Sequence, residues 1–576
     1  MLLPFLPKTL APFLPKILAL VLPKTPAPVL PKTRAPWRRV LVVNAWLALL
    51  LAGCANDPVP VGKLPDLPGA YPHAGSIRAD GAVGTPDSAA TKPAERWWEA
   101  FQDPQLNALV AAAQARNLDV RMAVQRVRQA RAGVVQEFSR TTPEVGLTTE
   151  AIDQRSGLPA PAKFGFPDAQ GLRARLNLAW ELDLMGGGRA GREAANADLN
   201  RARWAVAGTQ LMVAGEMARQ YLNLRSLQRT AAVLDGVLLA QRETLRLTEL
   251  RAREGQGALL DVDRANNALA TADANRALLD AQQATARNAI ALLLGDAPGS
   301  TDALLAALAD GGPVLPGMAS VAAAGRGAAL AMPPNPVAAV TPDEMQARLM
   351  ALLAPAGGVL GDPGRPPTGQ PADLLLRRPD LQAALQAVIG AEALRREAHA
   401  DRYPRVFLNA LFGGERLNLN GSQLAPARYS NAALAFQLPL FDSGRRAAVE
   451  EQQAGLRDEQ TLAFEQAVLR AVQEVDSSLA ALQGERDHYG RVVQARDLAL
   501  AALGRVLALQ REGEVDHVGV LDLERSLLGA QLTVLEAERA RAAAAVQVYQ
   551  ALGGGWAESG LVPQSGPARV QPESSR

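Results

Sequence analysis

The stretch Leu172–Arg192, LRARLNLAWELDLMGGGRAGR, contains a strand pattern, a turn and the start of a long helix in succession. Apolar residues occupy every even position from 172 to 184, and all but one of the residues between them are polar or charged. This alternation is typical of a β-strand with one apolar face. The glycines at 186–188 allow a sharp turn, and no proline follows before Pro298. The sequence therefore predicts a strand that leads directly into a very long helix.

The same order of elements returns later in the chain. Apolar residues alternate again from Ala432 to Leu440, and the junction FDSGRR at 441–446 corresponds to WELDLMGGGR at 180–189, with Gly444 paired to Gly188. The first helix is expected from Arg189 to Glu254, about 99 Å at ~1.5 Å per residue. Glycines at 255, 257 and 513 then allow each long helix to turn back. We therefore predict an internal duplication in which each copy has two strands and a long antiparallel helical hairpin.

Six segments follow from these patterns and from the distribution of proline. They are a low-complexity repeat with a lipoprotein signal peptide (1–53), a lipidated tether (54–96), a first copy (97–295, strands about 143–152 and 172–184), a Pro/Gly-rich linker (296–373), a second copy (374–552, strands about 405–412 and 430–440) and a disordered tail (553–576). The loop of the second strand pair is expected at 413–428.

The composition argues against several kinds of site. The chain has 576 residues, 48% of them hydrophobic, and a net charge of +2, so we expect no nucleic-acid partner. One cysteine permits no intramolecular disulfide, and the four histidines lack HExxH spacing. Gly186, Gly188 and Gly191 match GxGxxG, but the following helix is far too long for a dinucleotide-binding βαβ unit. We expect neither a metal nor a cofactor, and no enzymatic activity.

The cysteine itself has a distinctive position. Cys54 follows Leu-Ala-Gly at the end of an apolar run, and arginines precede that run. This order is typical of a signal peptide, and LAGC resembles the lipobox of bacterial lipoproteins, in which the cysteine is acylated. A buried free cysteine is the alternative interpretation. With Ala55 next, the resemblance implies the outer membrane.

The strand length is compatible with a membrane. Residues 172–184 reach about 43 Å at ~3.3 Å per residue, or about 30 Å along the normal at a tilt of ~45°. A soluble hairpin would show the same alternation. If the strand spans a bilayer, we expect Trp180 and the other even-numbered residues to face lipid.

Charged residues cluster at the two helical turns farthest from the strands. Acids two positions apart lie on different faces of a helix, so they are poorly arranged for acid–base catalysis. A solvated helix face is one interpretation; a ring of charge that constricts a passage, where several copies meet on an axis, is the other. The candidate gate and adaptor-contact residues are Asp261, Asp263, Arg264, Asp516, His517, Asp522, Glu524 and Arg525.

Four strands per chain cannot close a barrel, whereas three chains would supply twelve. The fold class predicted is mostly α with a small β part, closing as a trimeric 12-stranded barrel over long helical hairpins. At this point a resemblance becomes specific. WWEAFQDPQLNALV (97–110), LLLRRPDL (374–381), GVLDLERSLLGAQ (519–531) and the two junctions together resemble the TolC-like outer-membrane factor family, in its lipoprotein branch.

The resemblance implies an outer-membrane channel of a tripartite efflux pump that passively conducts drugs, metals or other toxic solutes. It implies a homotrimer, a periplasmic adaptor (membrane-fusion) protein, an inner-membrane RND-type pump and contact with outer-membrane lipid. The chain departs from the family in its N-terminal repeat, its long linker and Gly519, where an aspartate is common. A TolC-type duct for protein secretion and a periplasmic coiled-coil adaptor remain as alternatives.

Overall fold

The computed structural model describes residues 68–74, 96–159, 163, 167–300, 366, 371–512, 514 and 517–554. All of them lie in the unit Val61–Arg576. Cys54 and Asp516 lie outside the described residues, as do the predicted repeat and signal peptide and most of the predicted tether, linker and tail. For His517 only the backbone is described.

Two short helices precede the sheet. Helix α1 is Pro104–Arg116 and helix α2 is Leu118–Arg140. Asp103 caps α1, because its Oδ1 accepts from Gln105 N at 2.8 Å and from Leu106 N at 3.2 Å. Asn117 separates the helices and caps α2 in the same way, with Oδ1 accepting from Asp119 N at 2.8 Å. Asn117 thus ends one helix and begins the next.

Long helices make up most of the remaining structure. Helices α3 (Gly187–Arg253) and α7 (Arg445–Arg511) have 67 residues each, about 100 Å at ~1.5 Å per residue. Each turns back into a shorter partner, α4 (Leu259–Leu294) and α8 (His517–Ala551). The short α5 (Leu374–Arg377) and α6 (Pro379–Ala400) precede the second strand pair. No helix in the described part of the chain is both long enough and apolar enough to cross a membrane.

The core is a series of thin helical layers. Heptad-spaced residues of α3 and α7 are buried, among them Ala207, Ala214, Ala218, Val475 and Leu479. Small and aliphatic residues suit this geometry because neighbouring rods approach closely.

One aromatic cluster lies where α1, α3 and α8 meet. Trp97 stacks on Tyr549 with ring centroids 5.3 Å apart, and the Tyr221 hydroxyl donates to Asp103 Oδ2 at 2.7 Å. Smaller apolar clusters continue along the rods.

One antiparallel sheet combines both strand pairs. The strands are β1 (Glu144–Gln154), β2 (Ala169–Leu182), β3 (Arg405–Leu419), β4 (Ser422–Gln423) and β5 (Ala427–Gln437). The main order is β1-β2-β3-β5, because β2 pairs with β3 and β5 pairs with β3; β4 continues the hairpin at the far end of β3.

The strands differ in length from the sequence prediction. The loop expected at 413–428 is wrong over most of its length, since β3 continues through Gly413 and Gly414 to Leu419. The ring of Tyr429 covers Gly413, within 2.5 Å of where a Cβ would stand, and so supplies the missing side-chain packing. Asn420 and Gly421, with φ of 50° and 86°, form a two-residue turn of the kind that prolongs a hairpin.

The glycines at the two strand-to-helix hinges correspond to each other differently from the sequence prediction, which paired Gly444 with Gly188. Gly186 and Gly444, with φ of 80° and 83°, immediately precede α3 and α7, so Gly186 and not Gly188 is the counterpart of Gly444. Only glycine adopts this left-handed conformation without strain. Gly188 has another role, because a Cβ there would lie 2.3 Å from the Thr141 side chain.

Candidate functional site

The register of the sheet gathers the apolar side chains on one side. Leu176 of β2 lies opposite Leu147 of β1 and Phe412 of β3, and Val406 of β3 lies opposite Phe436 of β5. Because side chains alternate along a strand, these residues share one face. We call it the apolar face; its large members are Val145, Leu147, Leu172, Leu176, Leu178, Trp180, Leu408, Phe412, Leu434 and Phe436.

Much of this face is open. Leu147 and Phe436 are each 71% exposed, and Leu172 is 59% exposed. A soluble antiparallel sheet packs its apolar face on a core, and contiguous apolar surface of this kind marks contact with a membrane or with another protein. At the inner end, next to the helices, Trp180 Nε1 donates to Thr141 O at 3.1 Å.

The opposite face carries a ladder of charges across three strands, which we call the polar face. Arg173 donates through Nε to Glu415 Oε2 at 3.0 Å and through Nη1 to Glu150 Oε2 at 3.3 Å. Arg175 Nη2 also donates to Glu150 Oε2, at 2.9 Å. Asn177 continues the ladder with a bond from Nδ2 to Thr148 Oγ1 at 3.1 Å. Cross-strand pairs of this type are typical of a wetted sheet face.

The strands are long enough for a bilayer. The 14 residues of β2 extend about 46 Å at ~3.3 Å per residue. At a tilt of ~45° this covers about 33 Å along the membrane normal, close to the ~30 Å of a hydrocarbon core. The apolar face is therefore the height of a membrane.

A belt of ion pairs lies where the sheet meets the helices. Arg402 Nη1 donates to Glu450 Oε2 at 2.7 Å, and His399 Nδ1 lies 2.8 Å from Glu450 Oε1. The bond from Arg402, followed by His399, holds the pKa of the Glu450 carboxyl below its ordinary value. Nearby Glu397 has the opposite shift, because burial raises its pKa despite Arg140 at 3.6 Å. The contacts of Glu450 thereby tie the C-terminal end of α6 to α7.

At the other end of the long helices, the described members of the predicted gate set lie at the start of the returning helices α4 and α8. Asp261 pairs with Arg264 at 3.3 Å in α4, and Asp522 pairs with Arg525 at 3.7 Å in α8. Asp263 is exposed. Glu524 is half-buried, and this burial raises the pKa of its carboxyl.

The single chain does not gather these charges into one site. Among the described residues, the ion pairs of Asp261 and Asp522 each stay within one turn, three residues along the helix. Exposed pairs of this kind contribute little to stability, about 0–1 kcal/mol. No group of three or more His, Cys, Asp or Glu side chains in the described ranges is arranged to hold a metal ion.

Arg378 is one of several buried charged residues in the described part of the chain that the sequence patterns did not predict. Arg378 is 9% exposed. Its Nη2 donates to Asp380 Oδ2 at 2.7 Å, and its Nη1 donates to Glu474 Oε2 at 2.8 Å and to Ala551 O at 3.1 Å. It thereby ties α6 to α7 and to the C-terminal end of α8. The signal was present as a doublet of arginines before Pro379, inside an otherwise apolar segment.

Proteins that are similar to this chain in sequence have names that refer to export or efflux. The chain is 26% identical to the pyoverdine export outer membrane protein OpmQ of Pseudomonas putida over 480 residues, covering 82% of this chain and 90% of that protein. It is 27% identical to the toluene efflux pump outer membrane protein TtgF of Pseudomonas putida, covering 88% of this chain and 96% of that protein. It is 25% identical to the cation efflux system protein CusC of Escherichia coli, covering 88% and 97%.

The fold has solved counterparts. The outer-membrane channel OprN superposes with a TM-score of 0.62 at 28% identity, over 86% of this chain and 98% of that structure. The open state of the MtrE outer membrane channel of Neisseria gonorrhoeae gives a TM-score of 0.64 at 22% identity, over 86% and 98%, which shows the likeness of fold. A family model described as outer membrane efflux protein matches residues 109–296 and 371–554. The resemblance found in the sequence motifs is thus confirmed, and the chain belongs to the outer membrane efflux protein family.

Proposed function

We propose that this chain is one protomer of a trimeric outer-membrane channel that conducts small molecules from a periplasmic adaptor and an inner-membrane pump to the exterior. The observation that carries the proposal is the sheet with its two unlike faces. Its apolar face is exposed and as tall as a bilayer, its polar face bears a ladder of ion pairs, and its strands lead through glycine hinges into 67-residue helices. Such a chain forms part of the wall of a water-filled passage that crosses a membrane and a periplasm.

A trimer completes the sheet. Within the described chain, β1 and β5 each pair on one side only, so the sheet has two open edges. An open edge exposes unpaired backbone groups, which a hydrocarbon environment does not tolerate. Pairing β5 of one protomer with β1 of the next closes four long strands from each of three chains into a 12-stranded barrel. The two segments matched by the family model support the internal duplication that places two strands and two rods in each half.

The proposed anchor and partners come from the sequence and the relatives. Acylation of Cys54 attaches the mature N-terminus to the outer membrane, where two acyl chains are sufficient for stable anchoring. The names of OpmQ, TtgF and CusC refer to export or efflux. We assign this chain the same kind of cargo, namely small organic molecules or metal ions as substrates of an RND-type pump. Transport is passive, and the energy comes from the pump.

The helical turns form the periplasmic entrance in this proposal. Threefold symmetry brings three copies of Asp261–Arg264 and of 516–525 around one axis. The acids then form rings that narrow the entrance, and the same turns contact the adaptor. Within these turns, burial raises the pKa of the Glu524 carboxyl.

Conductance of the trimer in planar bilayers tests the channel and its gate. Replacing Asp516 and Asp522 by alanine removes carboxylates from the narrow entrance, so we expect higher conductance than in the wild type. Asp273→Ala is the matched control, because Asp273 is an exposed acid partway along α4. Equal conductance in all three proteins would remove the charged gate but keep the channel. Absence of any conductance in the wild type would contradict the channel itself.

Membrane fractionation and partner capture separate the alternatives. We expect the chain in the outer-membrane fraction, cross-linked to an adaptor, with drug accumulation rising when the gene is deleted. Loss of a secreted protein without a change in drug accumulation would favour the protein-secretion duct. A periplasmic location without outer-membrane attachment would favour the coiled-coil adaptor.

A further inference from the structure

The apolar face contains a groove at the end remote from the helices. Its volume is about 680 Å³. Small residues create it, since Ala174 and Gly414 lie opposite each other on β2 and β3. One row closer to the helices, the bulky pair Leu176 and Phe412 forms its inner boundary. We call this depression the outer groove.

Two arginines flank the outer groove on the apolar face. Arg416 lies opposite Leu172, and Arg428 lies opposite Gly414 on the adjacent strand, so both are in register with the apolar residues. Both side chains are exposed. The neighbouring Glu415 points to the polar face, where its Oε2 forms an ion pair with Arg173 Nε at 3.0 Å.

The acids at this end of the sheet are already engaged. Asp153, on the same face, accepts from Gln170 Nε2 at 3.1 Å and lies 3.5 Å from Arg155 Nε. Asp168, in the preceding loop, pairs with Lys163 at 2.5 Å and accepts from Ser156 N at 2.7 Å. Among the described residues, neither Arg416 nor Arg428 forms an ion pair within 4.0 Å, and the nearby acids Asp153 and Asp168 pair with Arg155 and Lys163 instead. The outer groove thus has a net positive charge.

Two guanidinium groups at the outer end of the apolar face are suited to an anionic ligand at the membrane interface. A guanidinium on the lipid-facing side of a barrel is destabilising toward the midplane and tolerated near the interface. Arginine binds phosphate through two parallel hydrogen bonds, and the row of Arg416 lies at the outer limit of the apolar band. A molecule with a phosphate at the interface and acyl chains below it satisfies both requirements.

We propose that Arg416 and Arg428 bind the phosphate head group of an outer-leaflet lipid, whose first acyl segment occupies the outer groove. The acyl chains continue along Leu176 and Phe412 toward the membrane centre. The proposal rests on the proposed function, because it requires this face of the sheet to lie in the outer membrane. It goes further by naming a binding site and the chemistry of its ligand.

Native mass spectrometry of the full-length trimer in non-ionic detergent tests the site. The probes are bisphosphorylated lipid A, the same lipid without its phosphates, and inorganic phosphate. For lipid A, we expect affinity to fall about tenfold in Arg416→Gln or Arg428→Gln, and about a hundredfold in the double variant, since each substitution removes one charge-assisted contact. We expect little binding of the dephosphorylated lipid or of inorganic phosphate.

A second variant tests the groove separately from the charge. Gly414→Leu fills the outer groove with a side chain, and a Cβ at Gly414 makes only an ordinary contact of 3.6 Å with Ala427 O. It should weaken lipid A binding while both arginines remain. The matched charge control is Arg126→Gln with Arg128→Gln, two exposed arginines of α2, which should leave binding unchanged.

The outcomes distinguish the site from the proposed function. Equal binding of lipid A to the wild type and the arginine double variant overturns the site, and so does equal binding of the lipid with and without phosphates. Inorganic phosphate bound as tightly as lipid A would show a simple anion site and would also overturn it. Outer-membrane fractionation of the wild type is scored in parallel. A chain that fractionates elsewhere contradicts the proposed function, whereas correct location with unchanged lipid binding contradicts only this inference.

Discussion

Arg378 is the residue on which three helices converge. Its guanidinium joins Asp380, Glu474 and the carbonyl of Ala551. We expect Arg378→Ala to destabilise the protein by about 2 kcal/mol, because it leaves a buried carbonyl without its donor. Arg378→Lys should restore only part of this, since one ammonium cannot reproduce the forked geometry. The measurement is the melting temperature in detergent, with the exposed Arg121→Ala as a control expected to melt like the wild type.

Glu450 makes stability depend on pH at the junction. Its pKa is lowered, chiefly by the hydrogen bond from Arg402, so the folded state favours the charged carboxylate. Its contribution is fully present above the pKa of an unfolded glutamate, roughly 4.3, and is lost as pH falls through the lower folded value. Glu450→Gln should therefore melt earlier than the wild type at pH 7.

The difference between Glu450→Gln and the wild type should shrink on acidification below about pH 4.3. Melting temperatures collected between pH 7 and pH 3 measure it. A difference that stays constant over that range would show that Glu450 acts through packing and not through its charge.

The glycine hinges are features of whole elements, because each turns a strand into a helix. Gly444 has a φ of 83° and open space where a Cβ would stand. Any loss in Gly444→Ala therefore reports backbone conformation alone, and we expect about 1–2 kcal/mol.

Gly455 of α7 provides the matched control. It also has open space but an ordinary φ, so Gly455→Ala should stabilise the helix by about 0.5–1 kcal/mol. Melting temperatures of the two variants should move in opposite directions. Parallel shifts would show that the left-handed conformation at Gly444 is not required.

The difference between the apolar face and the polar face matters at the scale of the whole molecule, because it determines which substitutions the assembled protein tolerates. Leu176 and Asn177 are neighbours in β2 but belong to the apolar and the polar face. In the proposed trimer, Leu176→Arg would introduce a charge on the lipid-facing side of each protomer, at a cost of about 2–4 kcal/mol per arginine near the midplane. Asn177→Arg adds the same charge to the side that already carries Arg173 and Arg175.

We expect Leu176→Arg to prevent accumulation of trimers in the outer membrane and Asn177→Arg to accumulate normally. The measurement is the amount of heat-resistant trimer in the outer-membrane fraction. The reverse order would mean that the even-numbered face lines the interior, and equal accumulation would mean that β2 does not face lipid.

The sequence predicted which elements are present better than it predicted the residues at which they end. Alternation found β2, and freedom from proline found the long helices, because both signals are summed over many residues. The end of β3 was missed because Gly413 and Gly414 look like a loop when read alone. The role of Gly413 depends on Tyr429, which is 16 residues away in sequence but lies opposite it in the register of the sheet.

The sequence by itself determined the kind of elements, their order and the family, since periodicity and motifs are local properties of the chain. Tertiary structure alone decided that β2 pairs with β3, so that both strand pairs share one sheet. It alone showed that Arg173 bridges Glu150 and Glu415, that Arg378 is buried, and that Arg416 and Arg428 flank one groove. The physical reason is that such contacts join residues far apart in sequence, and only the register of the folded sheet and the packing of the rods bring them together.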